Sequence, residues 1–189
     1  MTEPKRQGDL LADALAERWI NGWRIAGWGA LLALLILPAI AMRFTDEVNW
    51  TGSDFLFAAV LLFALGLGTE IAVRIGRGTP QRFGMLAATA GGFLTVWITG
   101  AVGIIGGENE AINVWFVLLV MAAALSSVLV WFHPARMRWI FGALALAQYG
   151  LGIAALYEMP GHAVEWGVLT FFAMIWGFAA LCFHRAARS

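Results

Sequence analysis

Charge is scarce in this sequence. Asp, Glu, Lys and Arg together make up 13% of the 189 residues, where a soluble domain carries about 25%. Hydrophobic residues make up 61%, which puts the chain in the membrane class. The formal net charge is zero, so no electrostatic case exists for a nucleic-acid partner. The single cysteine, Cys182, excludes an internal disulfide and a Cys-based zinc site. Flanked by Leu181 and Phe183, it reads as a packing residue rather than a reactive thiol. Histidine is equally sparse. His133, His162 and His184 all fall near the ends of apolar runs, and no two share a run at i, i+4 spacing. Paired axial ligands for a haem are therefore not expected, nor is any other cofactor. The sequence has no H-E-x-x-H, G-x-S-x-G, P-loop or dinucleotide fingerprint. No enzymatic activity is expected from it.

What the chain has is length of apolar sequence. A bilayer core of roughly 30 Å needs about 20 mostly apolar residues as a helix. Six stretches meet or approach that need: 25–42, 55–73, 83–107, 111–132, 139–157 and 163–183. Runs such as "LLALLIL" and "FLFAAVLLFALGLG" do not alternate, as the strands of a membrane barrel would. In lipid a helix satisfies its own N–H and C=O groups. The connectors are short and carry Gly or Pro, as in "GRGTPQR", "GGENEA", "HPAR" and "EMPGHA". The expected fold is an all-α integral membrane protein of six transmembrane helices in three antiparallel hairpins. A short amphipathic helix precedes them, with Leu11, Leu15 and Trp19 on one face and Asp9 capping its start. The expected organisation is an interfacial segment 1–24, a bundle 25–184 and a tail 185–189. Pro38 is expected to bend the first span. "LPAIA" offers an A-x-A-like cleavage site, but it lies farther along than the usual 15–30 residues, so an uncleaved anchor is favoured.

The basic residues give the sidedness. On the six-span reading, Lys5, Arg6, Arg18, Arg24, Arg74, Arg77, Arg82, Arg136, Arg138, Arg185 and Arg188 all fall on one side, and only Arg43 on the other. Lys and Arg are retained on the cytoplasmic side during insertion, so both termini are expected to be cytoplasmic. The opposite turns hold Asp46, Glu47, Asp54, Glu108, Glu110, Glu158 and Glu165. Exclusion of Lys and Arg from those turns is itself enough to leave them acidic.

Candidate functional residues follow from this map. Arg43, Asp46, Glu47, Asp54, Glu108 and His162 form a candidate polar cluster on the outer face, with Arg43 expected to pair with Asp46 or Glu47. His162 and Glu158, with nearby acids, offer a divalent-ion site if the turns converge. Glu70, inside the second run, stands four residues before Arg74, and an ion pair on one helix face is expected. Trp97 sits well inside the third run between Thr95 and Thr99, as a cavity-lining or packing residue. The other tryptophans favour run ends, as an interfacial belt. Glycines recur along the third run, where they admit close helix approach. "DEVNW", "NEAINVW" and "GHAVEW" form a faint repeat, from hairpin duplication or from the interface rule acting three times.

At "MRFTDEVNWTGSDF" and "AVGIIGGENEAIN" the chain resembles a group of small, uncharacterised multi-pass bacterial membrane proteins. The resemblance implies a bacterial cytoplasmic (inner) membrane and brings no activity, ligand or catalytic residue with it. The expected function is that of a non-enzymatic accessory, scaffold or sensing component. Its partners would be the lipid bilayer and other membrane proteins or a second copy of itself. The alternative is a small transporter or channel that gathers a cation or small solute at the acidic face, with Trp97 along the path. A membrane enzyme using Asp or Glu with His162 ranks last.

Overall fold

The computed structural model describes residues 7–107, 109–160 and 164–188, and of 7–21 the backbone alone. Six α-helices follow one another: α1 Gln7–Ala41, α2 Gly52–Ile75, α3 Thr79–Ala101, α4 Asn113–Leu129, α5 Pro134–Glu158 and α6 Trp166–Ala186. No strand occurs among the described residues. Five of the helices are long and apolar enough to cross a membrane, and α4, with 17 residues, is a shorter apolar helix. The chain divides into two compact units, Met1–Gly66 and Leu67–Ser189.

Two sequence expectations change. The first span does not follow a separate short helix, because α1 is one helix of 35 residues that also runs through Pro38. Between Trp19 and Ile25 the only weak helix former of note is Gly22, whose cost of about 1 kcal/mol does not break a helix. The third run also stops early. It is helical to Ala101 and then turns, with Gly103 at φ 78° and Gly106 at φ 65°.

In unit 1, α1 meets the first part of α2. A Cβ on Gly66 would lie 2.6 Å from the Trp28 ring and 2.9 Å from Leu31, so glycine is what allows this approach. Phe63 completes the contact, its ring centroid 5.8 Å from that of Trp28.

In unit 2 the helices pack antiparallel. Gly84 of α3 faces Cys182 and Phe183 of α6, while Gly91 faces Ile175 and Trp176. Phe141 of α5 stacks on Trp176 and meets Phe183 at a tilt, and Gly152 admits Trp166 and Leu169. On α6, Leu169, Phe172, Trp176, Ala179 and Phe183 are buried at helical spacing. Phe171, Met174, Phe178 and Leu181 form a second stripe at the same spacing and are exposed. In water the outward stripe of such a helix would be polar; here both stripes are apolar, so the outward stripe calls for lipid. At 1.5 Å per residue, α6 is about 31 Å long, matching a bilayer core.

Candidate functional site

The antiparallel register gives unit 2 two chemically different ends. Arg74, Arg77, Arg82, Arg136, Arg138 and Arg185 stand at the end where α2 stops, α3 and α5 start and α6 stops. Glu110, Glu158 and Glu165 stand at the other. Exposed aromatics mark both: Trp131 and Trp139 at the basic end, and Trp115, Tyr157 and Trp166 at the acidic one. Amphipathic rings at both ends of an apolar body are the pattern of two membrane interfaces.

Inside unit 2 the polar groups that sequence reading passed over are the best organised. Asn113, 2% exposed, begins α4. Its Oδ1 accepts from the N–H groups of Ile104 and Ile105 at 2.9 and 3.0 Å. Its Nδ2 donates to the carbonyls of Ile105 and Gly107 at 3.1 and 2.8 Å. That is the full hydrogen-bonding capacity of one carboxamide. The side chain thereby holds a non-helical turn whose Ile104 and Ile105 are both buried. A Cβ on Gly103 would stand 2.6 Å from the Gly107 carbonyl and 2.8 Å from Asn113 Nδ2, so a positive φ and lack of space both require glycine there.

At the basic end, buried Gln81 donates from Nε2 to the Phe132 carbonyl at 2.9 Å, and its Oε1 accepts from the Arg77 N–H at 3.1 Å. This ties the start of α3 to the turn after α4, where Trp131 and Phe132 take φ of 51° and 53°. Near the acidic end, buried Gln148 donates to the Leu169 carbonyl at 2.8 Å. Tyr149 donates to Thr170 Oγ1 at 3.0 Å, which in turn donates to the Trp166 carbonyl. The Thr95, Thr99 and Ser127 hydroxyls each donate to the carbonyl four residues back, at 2.7–2.8 Å.

The residues singled out from sequence fall as follows. Arg74 Nε donates to Glu70 Oε2 at 3.0 Å, with Glu70 the more covered partner. Trp97 is half-buried, and its ring stacks on Phe93 at 5.8 Å. Arg43, Asp46, Glu47 and Asp54 all lie in unit 1, while Glu108 and His162 lie outside the described residues. Among the described residues Arg43 makes no ion pair with Asp46 or Glu47. Backbone bonds order that turn instead: the N–H groups of Phe44 and Thr45 both reach the Ala41 carbonyl. Among the described residues, no group of three His, Cys, Asp or Glu side chains is placed to hold a metal ion. Cys182 is buried in the packed face of α6.

Asp54 has a local role. Its Oδ2 accepts from both the N–H and the Oγ1–H of Thr51 at 2.7 Å. This is one half of a capping box at the start of α2, the third-position acid reaching back to the N–H of Thr51, while the Asp54 N–H bonds to the Thr51 carbonyl. Asp54→Ala is expected to lower the midpoint of thermal unfolding in detergent slightly, because the Thr51 N–H loses its acceptor at the helix start. No protein-family model, curated protein or solved structure matches the chain.

Proposed function

We propose that the protein is a non-enzymatic accessory or scaffold component of a bacterial cytoplasmic membrane, crossing it six times with both termini in the cytoplasm. One observation carries the functional part. Among the described residues, each of the six buried polar side chains (Gln81, Thr95, Thr99, Asn113, Ser127 and Gln148) bonds to the backbone of this same chain. A transport path needs polar groups left over for its passenger. Here those residues are bonded into the backbone of helices and turns, and the buried side-chain atom left without a partner among the described residues, Arg138 Nε, lies at the basic end near the start of α5, which favours a structural interior over a conducting one. The exposed turns and apolar flanks then remain as the surfaces for partners.

The sidedness rests on the basic end of unit 2 and on the retention of Lys and Arg in the cytoplasm. A reporter active only in the cytoplasm should be active when fused after Ser189 and silent when inserted at Asn49. The reverse pattern would overturn the orientation. For the scaffold reading, mild-detergent extraction should recover the chain together with another membrane protein or a second copy. Recovery as a lone monomer that moves a cation into sealed vesicles would replace it with transport.

A further inference from the structure

We infer that the basic end of unit 2 binds the phosphate of an anionic phospholipid, with Arg138 as the central donor. The inference rests on the membrane reading above.

Arg138 lies near the start of α5, next to Met137, which is buried. Its Nη1 stands 3.2 Å from Nδ1 of His184 near the end of α6. A guanidinium has only donors, so Nδ1 is the acceptor in this contact. The histidine therefore orients the arginine without cancelling its charge. Arg138 Nε is buried with no hydrogen-bond partner, alone in this among the described side-chain atoms. The guanidinium carbon lies 5.1 Å from the centre of the Trp139 ring, a cation–π contact that fixes its plane but leaves the charge in place.

The surroundings add positive potential. The first turn of α5 holds no acid, and a helix start already carries the positive end of the dipole. Among the described residues Arg77, Arg82, Arg136, Arg185 and Arg188 make no ion pair. Charge complementarity thus calls for an anion, and the N–H groups of the guanidinium that His184 does not take can donate to phosphate oxygens. Exposed apolar surface favours lipid over a free ion. Trp139 is 69% exposed and Leu181, one turn before His184, is 63% exposed, so a headgroup at Arg138 would have its acyl chains beside them. Basic sites between spanning helices are suited to such headgroups.

The test uses the full chain in an uncharged detergent, with unfolding temperature as the readout. Saturating phosphatidylglycerol should raise it by roughly 5 °C. Phosphatidylcholine with the same acyl chains, and inorganic phosphate, should each leave it within about 1 °C. Arg138→Gln should abolish the shift, while Arg43→Gln, in unit 1, should keep it. If Arg138→Gln fails to fold, Arg138→Lys serves, since it keeps the charge and loses the planar fork; about a tenfold weaker apparent affinity is expected. An equal shift with phosphatidylcholine, an equal shift with phosphate, or an unchanged shift in either Arg138 variant overturns the proposal. Alkaline extraction separates this from the underlying reading. A chain that stays with the membrane but lacks the phosphatidylglycerol shift refutes only the lipid site, whereas a chain released by alkali refutes the membrane reading too.

Discussion

Replacing Asn113 with alanine should destabilise the protein by about 4 kcal/mol, the largest loss expected from any single polar substitution. The carboxamide is the partner of two N–H groups and two carbonyls in the 102–107 turn. Removing one partner from a buried polar group costs roughly 1–3 kcal/mol, and here three buried groups lose theirs at once, together with the exposed Gly107 carbonyl. Water cannot readily replace it, because Ile104 and Ile105 are buried around the site. Asn113→Asp is expected to fare little better. It keeps an acceptor for the two N–H groups but turns a carboxylate toward two carbonyls that need a donor. Asn49→Ala, in the exposed α1–α2 connector, should stay within about 0.5 kcal/mol of the parent. Unfolding in detergent, followed by tryptophan emission, would compare all three. An Asn113→Ala variant as stable as Asn49→Ala would show that the turn holds itself without the clamp.

The second large effect is expected at Trp176, which is 2% exposed and packs against Phe141 and the backbone at Gly91. Trp176→Ala should cost on the order of 3 kcal/mol, the lower part of the range for aromatic deletions in soluble cores. In lipid the hydrophobic drive between helices is largely absent, so the loss comes from dispersion contacts across the hole. Gly91 supplies the control. A Cβ there would lie 2.9 Å from the Trp176 ring and 2.8 Å from Ile175, so Gly91→Val alone should cost about 1–3 kcal/mol by overpacking. In the Trp176→Ala background the same change should cost less, because the ring is gone. Strict additivity of the two substitutions would mean that α3 and α6 do not meet where Gly91 and Trp176 are placed.

The helices were legible because lipid imposes one strong rule, and runs of about 20 apolar residues obey it. The Glu70–Arg74 spacing was legible for the same kind of reason, since i, i+4 is a local geometry. What escaped was non-local or turned on one dihedral angle. Gly103 and Gly106 read as small residues along a continuing helix, yet both take positive φ, Gly103 just past the end of α3 and Gly106 in the turn that follows. Asn113 read as one more polar residue in an outward turn, although an Asn just before an apolar run and after two glycine steps is where a side-chain clamp can form. Gln81 and Gln148 carried no signal, because their partners lie 51 and 21 residues away. Arg43 was assigned a partner by proximity in sequence, whereas the backbone of its turn closes without one. The outer polar cluster rested on turns converging across the chain, and no periodicity can report that.

The bond between Gln81 and the Phe132 carbonyl has a consequence in time. A chain made from its N-terminus delivers α3 before α4 exists, so the Nε2 donor of Gln81, at the basic end beside Arg77 and Arg82, has water as its partner until the Phe132 carbonyl is synthesised. The turn that carries this acceptor is closed by its own backbone bonds, from the Trp131 N–H to Val128 and the Phe132 N–H to Ser127, with Trp131 and Phe132 in a left-handed state that costs roughly 1–3 kcal/mol each, and Gln81 adds a tie to it from α3. This end of unit 2 is therefore expected to close only after the fourth helix has emerged, when its trailing turn brings the Phe132 carbonyl to the waiting side chain.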